Sequence, residues 1–420
     1  MSMSKQSNKK KQVINLKNVK EYNYSLIFNL IYSNGVISRA DLASLSGMSP
    51  TTVSALTAEM LEEGLIEEIG TGISATSGRK PILLQIKPDG AFLLGVDIKE
   101  NKYSCCLFNL KNEIIASKHE KLTEHQDIGK DILNTIDSII LESYIPRERL
   151  AGICIGIPGI IDLKRQVMIK STVMPENISS SFIDQVKKAY THIPVIIQNA
   201  SCLYAYAEMH FGAAKGTGNQ LFIDINSGIG CAIIINGTMY TGANGIAGEI
   251  GHMTIDINGP VCKCSNKGCF EAMASVPAII QRVIQGILLG RKTLVRDMIG
   301  DDLRKININV IRDALTERDS LTCEIIDDIS YLTAVGINNV INLLNPQAVI
   351  IGGEIQGLGE YFLEKVNSNI EKISLNSELS KIKVSFSNIK EYAVEKGAAK
   401  YLLDQVFFSK SETIKMFLEA

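Results

Sequence analysis

Residues 248–271 read GEIGHMTIDINGPVCKCSNKGCFE. Cys262, Cys264 and Cys269 fall close together, and His252 stands one short hairpin upstream. Three thiolates and one imidazole are the donor set of a tetrahedral structural site, so the composition predicts Zn2+ held by His252, Cys262, Cys264 and Cys269. Two carboxylates, Glu249 and Glu271, are interleaved with these four. A metal that folds the loop would bring both acids to one place, where carboxylate oxygens can hold hydroxyl groups. The competing reading is a plain turn with ordinary buried cysteines; the crowding of cysteines around Gly268 favours metal.

The run GEIGH followed by CKCSNKGCFE resembles the signature of the ROK family (repressors, open reading frames and sugar kinases). The resemblance covers almost the whole chain and is strongest to the repressor branch, which includes xylose-responsive and N-acetylglucosamine-responsive regulators. It implies an α/β fold, with an N-terminal winged helix-turn-helix followed by a two-lobed actin-like or hexokinase-like sugar domain. One departure is Ser265, where the family pattern has Gly after the second Cys; the change strains the turn and removes no ligand.

At 420 residues the chain exceeds one compact core and suggests two or three domains. Hydrophobic residues make up 45% and charged residues 21%, which excludes a disordered or collagen-like polymer. The formal charge of −2 averages a basic start against a more acidic remainder. Residues 1–19 read as a basic flexible arm, with Lys9, Lys10, Lys11 and Lys17 and no acid, able to touch phosphates beside a DNA-binding module. No apolar run reaches the roughly 20 residues of a membrane span, and no apolar segment follows the first lysines as in a signal peptide. A cytoplasmic protein with no membrane contact is expected. The nine cysteines, an odd number, fit reduced thiols better than a disulfide framework.

Residues 20–88 read as a winged helix-turn-helix. Leu26, Ile27, Leu30 and Ile31 recur at helical spacing. Ser38 then stands as an N-cap three residues before Asp41, ahead of a short helix burying Leu42 and Leu45 and ended by Gly47. Ser49 and Pro50 open the next helix, which buries Val53, Leu56 and Met60. Its small polar residues Thr51, Thr52, Ser54 and Thr57 are expected to face outward, where side chains of that size approach base edges in a major groove. Strands are expected at 65–69 and 82–86, with a wing between them ending in Arg79 and Lys80 for backbone or minor-groove contact. DNA-binding residues are therefore Ser49, Thr51, Thr52, Ser54, Thr57, Arg79 and Lys80. SRADLASLSGMSPTTVSAL resembles the N-terminal motif of ROK repressors; stand-alone ROK kinases lack the segment.

Residues 90–420 read as two lobes, each with three consecutive strands, then helix and strand. The first is expected over about 90–198 plus a C-terminal helix at 391–406, the second over about 199–390. A cleft between such lobes favours a ligand. In ROK kinases the first strand ends in an Asp-x-Gly-x-Thr phosphate loop; here Asp97 is followed by Ile98, Lys99, Glu100 and Asn101. The kinases' Glu-Asn-Asp, whose Asp is the base for the sugar hydroxyl, is here Gln198, Asn199, Ala200. Losing a general base removes a factor of roughly 10² to 10⁴ in rate. The second phosphate loop, Ser227 to Gly230, is kept.

The resemblance places sugar contacts at Asn199, Glu249, His252 and Glu271, and at Gly159 and Thr172 in two further loops, where Pro158–Gly159 reads equally as a tight turn after a buried strand. The expected function is a sugar-responsive repressor of carbohydrate-utilisation genes, binding a monosaccharide or sugar phosphate without phosphorylating it. It would act as a homodimer or dimer of dimers on a palindromic operator. The alternatives are a sugar kinase with a DNA-binding head, and a cleft that takes a partner protein.

Overall fold

The computed structural model describes residues 16–72, 80–122, 127–171, 181–376 and 378–408. Helix α1 (Leu16–Asn34) starts earlier than the apolar spacing suggests, because no Gly or Pro halts it; the rest of the basic arm lies outside the described residues. After strand β1 (Val36–Ser38), the Ser38 hydroxyl accepts from the Asp41 N–H and caps α2 (Arg39–Ser46), which Gly47 ends at φ 69°. Ser49 accepts from the Thr52 N–H, and with Pro50 it opens α3 (Pro50–Glu62). Ile27, Phe28, Ile31, Leu42, Val53 and Met60 are fully buried, but Leu45 is 58% exposed, its turn of α2 lying outside the three-helix core.

Thr57 does not face outward as expected either. Its side chain is buried, donating to the Val53 carbonyl (2.9 Å) and accepting from Arg39 Nε (3.1 Å). The hydroxyl bonds back along its own helix and so cannot face DNA. Strands β2 (Ile66–Thr71) and β3 (Ile82–Ile86) complete a sheet of order β1-β3-β2. Residues 73–79, including Arg79, lie outside the described residues.

Lobe 1 runs β4 (Phe92–Ile98), β5 (Lys102–Asn109), β6 (Ile114–Lys121), α4 (Ile128–Glu142), β7 (Leu150–Ile157), the hairpin β8 (Ile160–Asp162) and β9 (Val167–Lys170), α5 (Ser181–Ala189) and β10 (Val195–Asn199). Helix α6 (Ala200–Phe211) leads to lobe 2: β11 (Gln220–Ile225), β12 (Ile229–Ile235), β13 (Thr238–Tyr240), α7 (Phe270–Ala274), α8 (Val276–Leu288), α9 (Leu294–Ile299), α10 (Ile308–Thr316), α11 (Ser320–Leu344), β14 (Ala348–Gly352), α12 (Glu360–Ile373) and β15 (Val384–Phe386). The last helix, α13 (Ala393–Leu403), continues into a π-turn, Asp404–Phe408. The sheets have matching orders, β10-β7-β4-β5-β6 and β13-β12-β11-β14-β15, each a meander with two parallel strands added beside its first strand. Sequence reading missed β10, a short strand following Pro194.

Strand alternation decides what faces the cleft. On β4, Leu94, Val96 and Ile98 join α4 and α5 in one core. Leu93 points the other way, toward α6 and α13, and Gly95 lies against the Glu395 backbone. On β11, Leu221, Ile223 and Ile225 face the helices of lobe 2, while Phe222 packs with Ala205 of α6. Helix α6 therefore sits between the sheets, pressed on α13: a Cβ on Gly397 would overlap the Leu203 carbonyl oxygen. The winged helix shares one continuous core with this layer, from Phe28 and Ile31 through Leu93 and Phe108 to Ala398 and Leu402. Among the described residues no helix is long and apolar enough to cross a membrane.

Glycine to alanine inside a helix ordinarily gains about 1 kcal/mol. At Gly397 the overlap reverses the sign, and G397A is expected to lose roughly 1–3 kcal/mol in urea unfolding; an unchanged or raised midpoint would show that the two helices can separate cheaply.

Candidate functional site

Strand β7 ends at Ile157, and the chain turns through Pro158 and Gly159 into β8. Gly159 has φ 132°, and a Cβ there would come within 2.5 Å of the Lys170 carbonyl oxygen, so only glycine fits. Asn199 closes the far side: its Oδ1 accepts from the Cys202 N–H (3.2 Å), capping α6, and its Nδ2 donates to the Gly159 carbonyl (2.9 Å). One side chain ties the turn to the start of α6. The pocket here is lined by Gly159, Gln198, Asn199, Thr241, Gly248 and Glu249. Thr241 was not singled out from sequence, having no motif around it. Thr172 lies outside the described residues.

Glu249 is in this lining, and Glu271 is beside it. Glu271 Oε2 accepts the Ile229 N–H (2.9 Å), bracing the second glycine loop, and a Cβ on Gly228 would stand 2.7 Å from the same oxygen. His252 has two faces. Its Nδ1 lies 3.8 Å from Cys262 Sγ, and its Nε2 lies 4.0 Å from Glu249 Oε2. One nitrogen can therefore serve a metal while the other points to the pocket acid.

The ligand atoms of His252, Cys262, Cys264 and Cys269 all lie within 4.8 Å of one another. Cys264 and Cys269 sulfurs are 3.6 Å apart, close to the ~3.8 Å edge of a tetrahedron with metal–sulfur bonds of about 2.3 Å. The donor set and its spacing fit a metal ion. The loop is a small knuckle, bridged at Thr254–Cys269 and Val261–Lys267. Asn266 Nδ2 donates to Cys269 Sγ (3.5 Å), and the Ser265 N–H to the Cys262 carbonyl (2.8 Å). Ser265 takes φ 75° and Gly268 φ 65°. A Cβ on Gly268 would overlap the Asp256 carbonyl, but Ser265 is exposed and pays only the left-handed strain.

Deeper in the cleft, Asp97 on β4 and Asp224 on β11 both face the α6/α13 layer. Asp97 is 3% exposed and Lys99 Nζ stands 3.3 Å from its Oδ2, while its buried Oδ1 has no hydrogen-bond partner among the described residues. Burial raises the Asp97 carboxyl, opposed by Lys99, whose own ammonium is raised first by Asp97. Asp224 is pushed up to about 6 by burial, again opposed by Lys99. Glu395 of α13, hydrogen-bonded by Ser104, is pushed up to about 7 by burial and then by Asp97. The Lys99 ammonium thus pairs with Asp97, and its charge also acts on Asp224 and Glu395, at the position where the resemblance gives the kinases a glycine-lined phosphate loop. Ala200, at the first position of α6, offers a methyl group beside Asn199.

On the winged helix, Ser49, Thr51, Ser54 and Lys80 are exposed and Thr52 is half-buried. The Ser49 and Thr52 hydroxyls are 2.8 Å apart at the α3 cap, leaving Thr51 and Ser54 as the freest small side chains of the four.

The sequence profile of the ROK family matches residues 93–404. The chain belongs to the ROK family. A profile for a winged helix-turn-helix DNA-binding domain matches residues 26–67. The chain is 32% identical over 354 residues to a xylose repressor of Bacillus spizizenii, covering 84% of this chain and 87% of that protein. It is 30% identical over 370 residues to the DNA-binding transcriptional dual regulator NagC of Escherichia coli, covering 87% and 88%. A crystal structure of a ROK family transcriptional regulator, a homologue of the E. coli MLC protein, superposes with a TM-score of 0.81 at 26% identity, covering 95% of this chain and 99% of that one. ROK membership accounts for the paired sheets, and the winged-helix profile for the α1–β3 head that precedes them.

S265G removes a strained left-handed residue without touching a ligand, and should raise stability by about 1 kcal/mol, read as a higher urea midpoint. Glu395 has a folded value near 7 against an ordinary value of 4.5, so its contribution is present at low pH and is lost as pH rises from about 4.5 through 7. E395Q, which cannot titrate, should therefore gain in melting temperature relative to the parent between pH 5 and pH 8; parallel melting curves would exclude a buried, protonated Glu395.

Proposed function

We propose that this ROK protein is a sugar-responsive DNA-binding repressor of carbohydrate-utilisation genes, in which the cleft binds a monosaccharide or its phosphate and does not phosphorylate it. The observation that carries the reading is Ala200 beside a retained Asn199–Gly159 pocket. The apparatus for holding hydroxyl groups stands, and the position of the proton acceptor carries a methyl group. Lys99, seated on Asp97, supplies the second reason, since its ammonium occupies the charge environment that a metal-bound nucleotide would need. The relatives named for xylose and for N-acetylglucosamine make D-xylose and N-acetylglucosamine the first effectors to test.

Asn199, Glu249, His252 through Nε2, Glu271 and Thr172 are assigned to sugar hydroxyls, with Gly159 shaping the floor. His252 Nδ1 and the three thiolates are assigned to a structural Zn2+, which supplies cross-linking of the loop and no redox or hydrolytic chemistry. The loop's own residues do the positioning: Asn266 orients the Cys269 sulfur, and Gly268 lets the knuckle close against Asp256. Thr51, Thr52, Ser54 and Ser49 of α3 are assigned to the major groove, with Lys80 and Arg79 on backbone phosphates. The reading includes a cytoplasmic homodimer or dimer of dimers on a palindromic site with half-sites about 10 bp apart or a multiple, supported by the one recognition helix among the described residues.

Three measurements test this. Purified protein should retard a DNA site selected from a random pool, and D-xylose or N-acetylglucosamine should shift the affinity by about 5- to 150-fold; an unchanged affinity across a broad sugar panel would remove the effector role. With MgATP and the same sugars, ADP release should stay below about 1 s⁻¹, and turnover above it would restore the kinase reading. Metal analysis should give one zinc per chain, lost in C264S together with sugar binding; a metal-free protein that still binds sugar would separate the knuckle from the pocket.

A further inference from the structure

Lobe 1 holds the recognition helix directly, through a residue far from any DNA-facing position. Helix α3 ends at Glu62, with Glu63 as its C-cap and Gly64 turning the chain at φ 70°. The guanidinium of Arg149 donates from one nitrogen to the Glu63 carbonyl (2.9 Å) and to the Gly90 carbonyl (2.8 Å). A Cβ on Gly64 would stand 3.1 Å from that nitrogen, and one on Gly90 would stand 2.5 Å from the Gly64 carbonyl oxygen. Three segments therefore close on one cation: the end of the recognition helix, the linker into lobe 1, and lobe 1 itself. A cation at a helix C-terminus also meets the negative end of the helix dipole, where free carbonyls are poor in partners.

What makes this more than a brace is where Arg149 sits. It is the residue before β7, and β7 runs unbroken from Leu150 to Ile157, in the sheet between β4 and β10. The other end of β7 is the Pro158–Gly159 turn that Asn199 grips in the pocket. A strand of eight residues spans roughly 26 Å; it pairs with β4 from Leu150 to Gly156, with a register shift at Ala151, and with β10 from Ile153 to Ile157. One strand thus has the pocket turn at one end and the recognition-helix anchor at the other.

A second anchor holds α1. Phe28 stacks on Phe407 of the π-turn (4.8 Å between centroids), Tyr32 meets Phe408 edge-on (5.8 Å), and Lys400, paired with Asp404, lies over both the Tyr32 and Phe408 rings. With α1 fixed to α13, the hold of Arg149 on α3 sets the angle at which α3 is presented.

We propose that Arg149 is a positioning residue for operator binding, coupling the sugar-pocket turn to the recognition helix through β7. The proposal rests on the repressor reading above. In a dimer, a small change of angle at each α3 changes the separation of the two recognition helices, so the predicted signature is in spacing and not only in affinity.

The test compares the full-length parent with R149Q and R149K. The DNA probes are the site that the parent selects from random DNA and the same site with one base pair inserted between half-sites. R149Q is expected to bind D-xylose or N-acetylglucosamine as the parent does, by calorimetry, to lose about tenfold in affinity for the correctly spaced site, and to discriminate poorly against the inserted one. R149K, keeping a cation within reach of one carbonyl, should fall between. Hydrogen exchange supplies a DNA-independent reading: adding the sugar should change protection of amides 63–65 in the parent and not in R149Q. Equal spacing discrimination and equal exchange response in all three proteins would overturn the proposal. If R149Q does not melt cooperatively, R149K decides by the same two readings, parent-like values sinking the idea. A parent that binds sugar and shows the exchange change but selects no DNA would defeat the repressor reading while leaving the coupling intact.

Discussion

Helices α6 and α13 meet backbone to backbone, Gly397 lying against the Leu203 carbonyl with no room for a side chain. The start of α6 is capped by Asn199 in the pocket, and the end of α13 carries the aromatic residues that grip α1. The same helix pair covers the inner face of the lobe 1 sheet and separates it from lobe 2. Loosening this contact would at once unseat the pocket, the cleft acids and the DNA-binding head. Interiors packed at this density have alternative arrangements and few intermediate ones, which suits a protein that must report a small ligand at a distance.

On the proposed reading, the cleft is a catalytic frame turned into a binding frame by few changes. Each sheet still turns an aspartate inward, because alternation along β4 and β11 leaves that position no other direction. Burying carboxylates without partners is costly, and Lys99 meets part of the cost from within the chain. Ala200 offers a methyl group, not a proton acceptor, beside an Asn199 whose hydrogen bonds are in place. Neither change disturbs the sheets, so fold and chemistry are separable here: the lobes are kept by apolar packing, and turnover by a handful of polar atoms.

The knuckle works by a different economy of structure. Its buried apolar content is small, and its shape rests on two left-handed residues, two isolated bridges and four converging ligand atoms. The imidazole of His252 divides its nitrogens between that cluster and Glu249, so the order of the loop and the order of the pocket rim are coupled through one ring.

Local patterns settled a good deal by themselves. Ser38, Gly47, Ser49 and Pro50 mark helix ends through short-range hydrogen bonds and backbone limits, and the structure places caps at those residues. Alternation over 65–69 and 82–86 foretold β2 and β3, and the spacing of His252, Cys262, Cys264 and Cys269 foretold their convergence, because a tight hairpin leaves few other places for them. Outward and inward faces of short helices were less legible: Thr57 and Leu45 exchanged the expected roles, since a hydroxyl can bond its own helix and an eight-residue helix has a turn to spare. What only tertiary structure decided were contacts between residues far apart in the chain. Arg149 on Glu63, Lys99 among Asp97, Asp224 and Glu395, and Gly397 on Leu203 join segments that no local pattern relates. Their partners are chosen by how two sheets and two helices stack, which is a property of the packed molecule and not of any stretch within it.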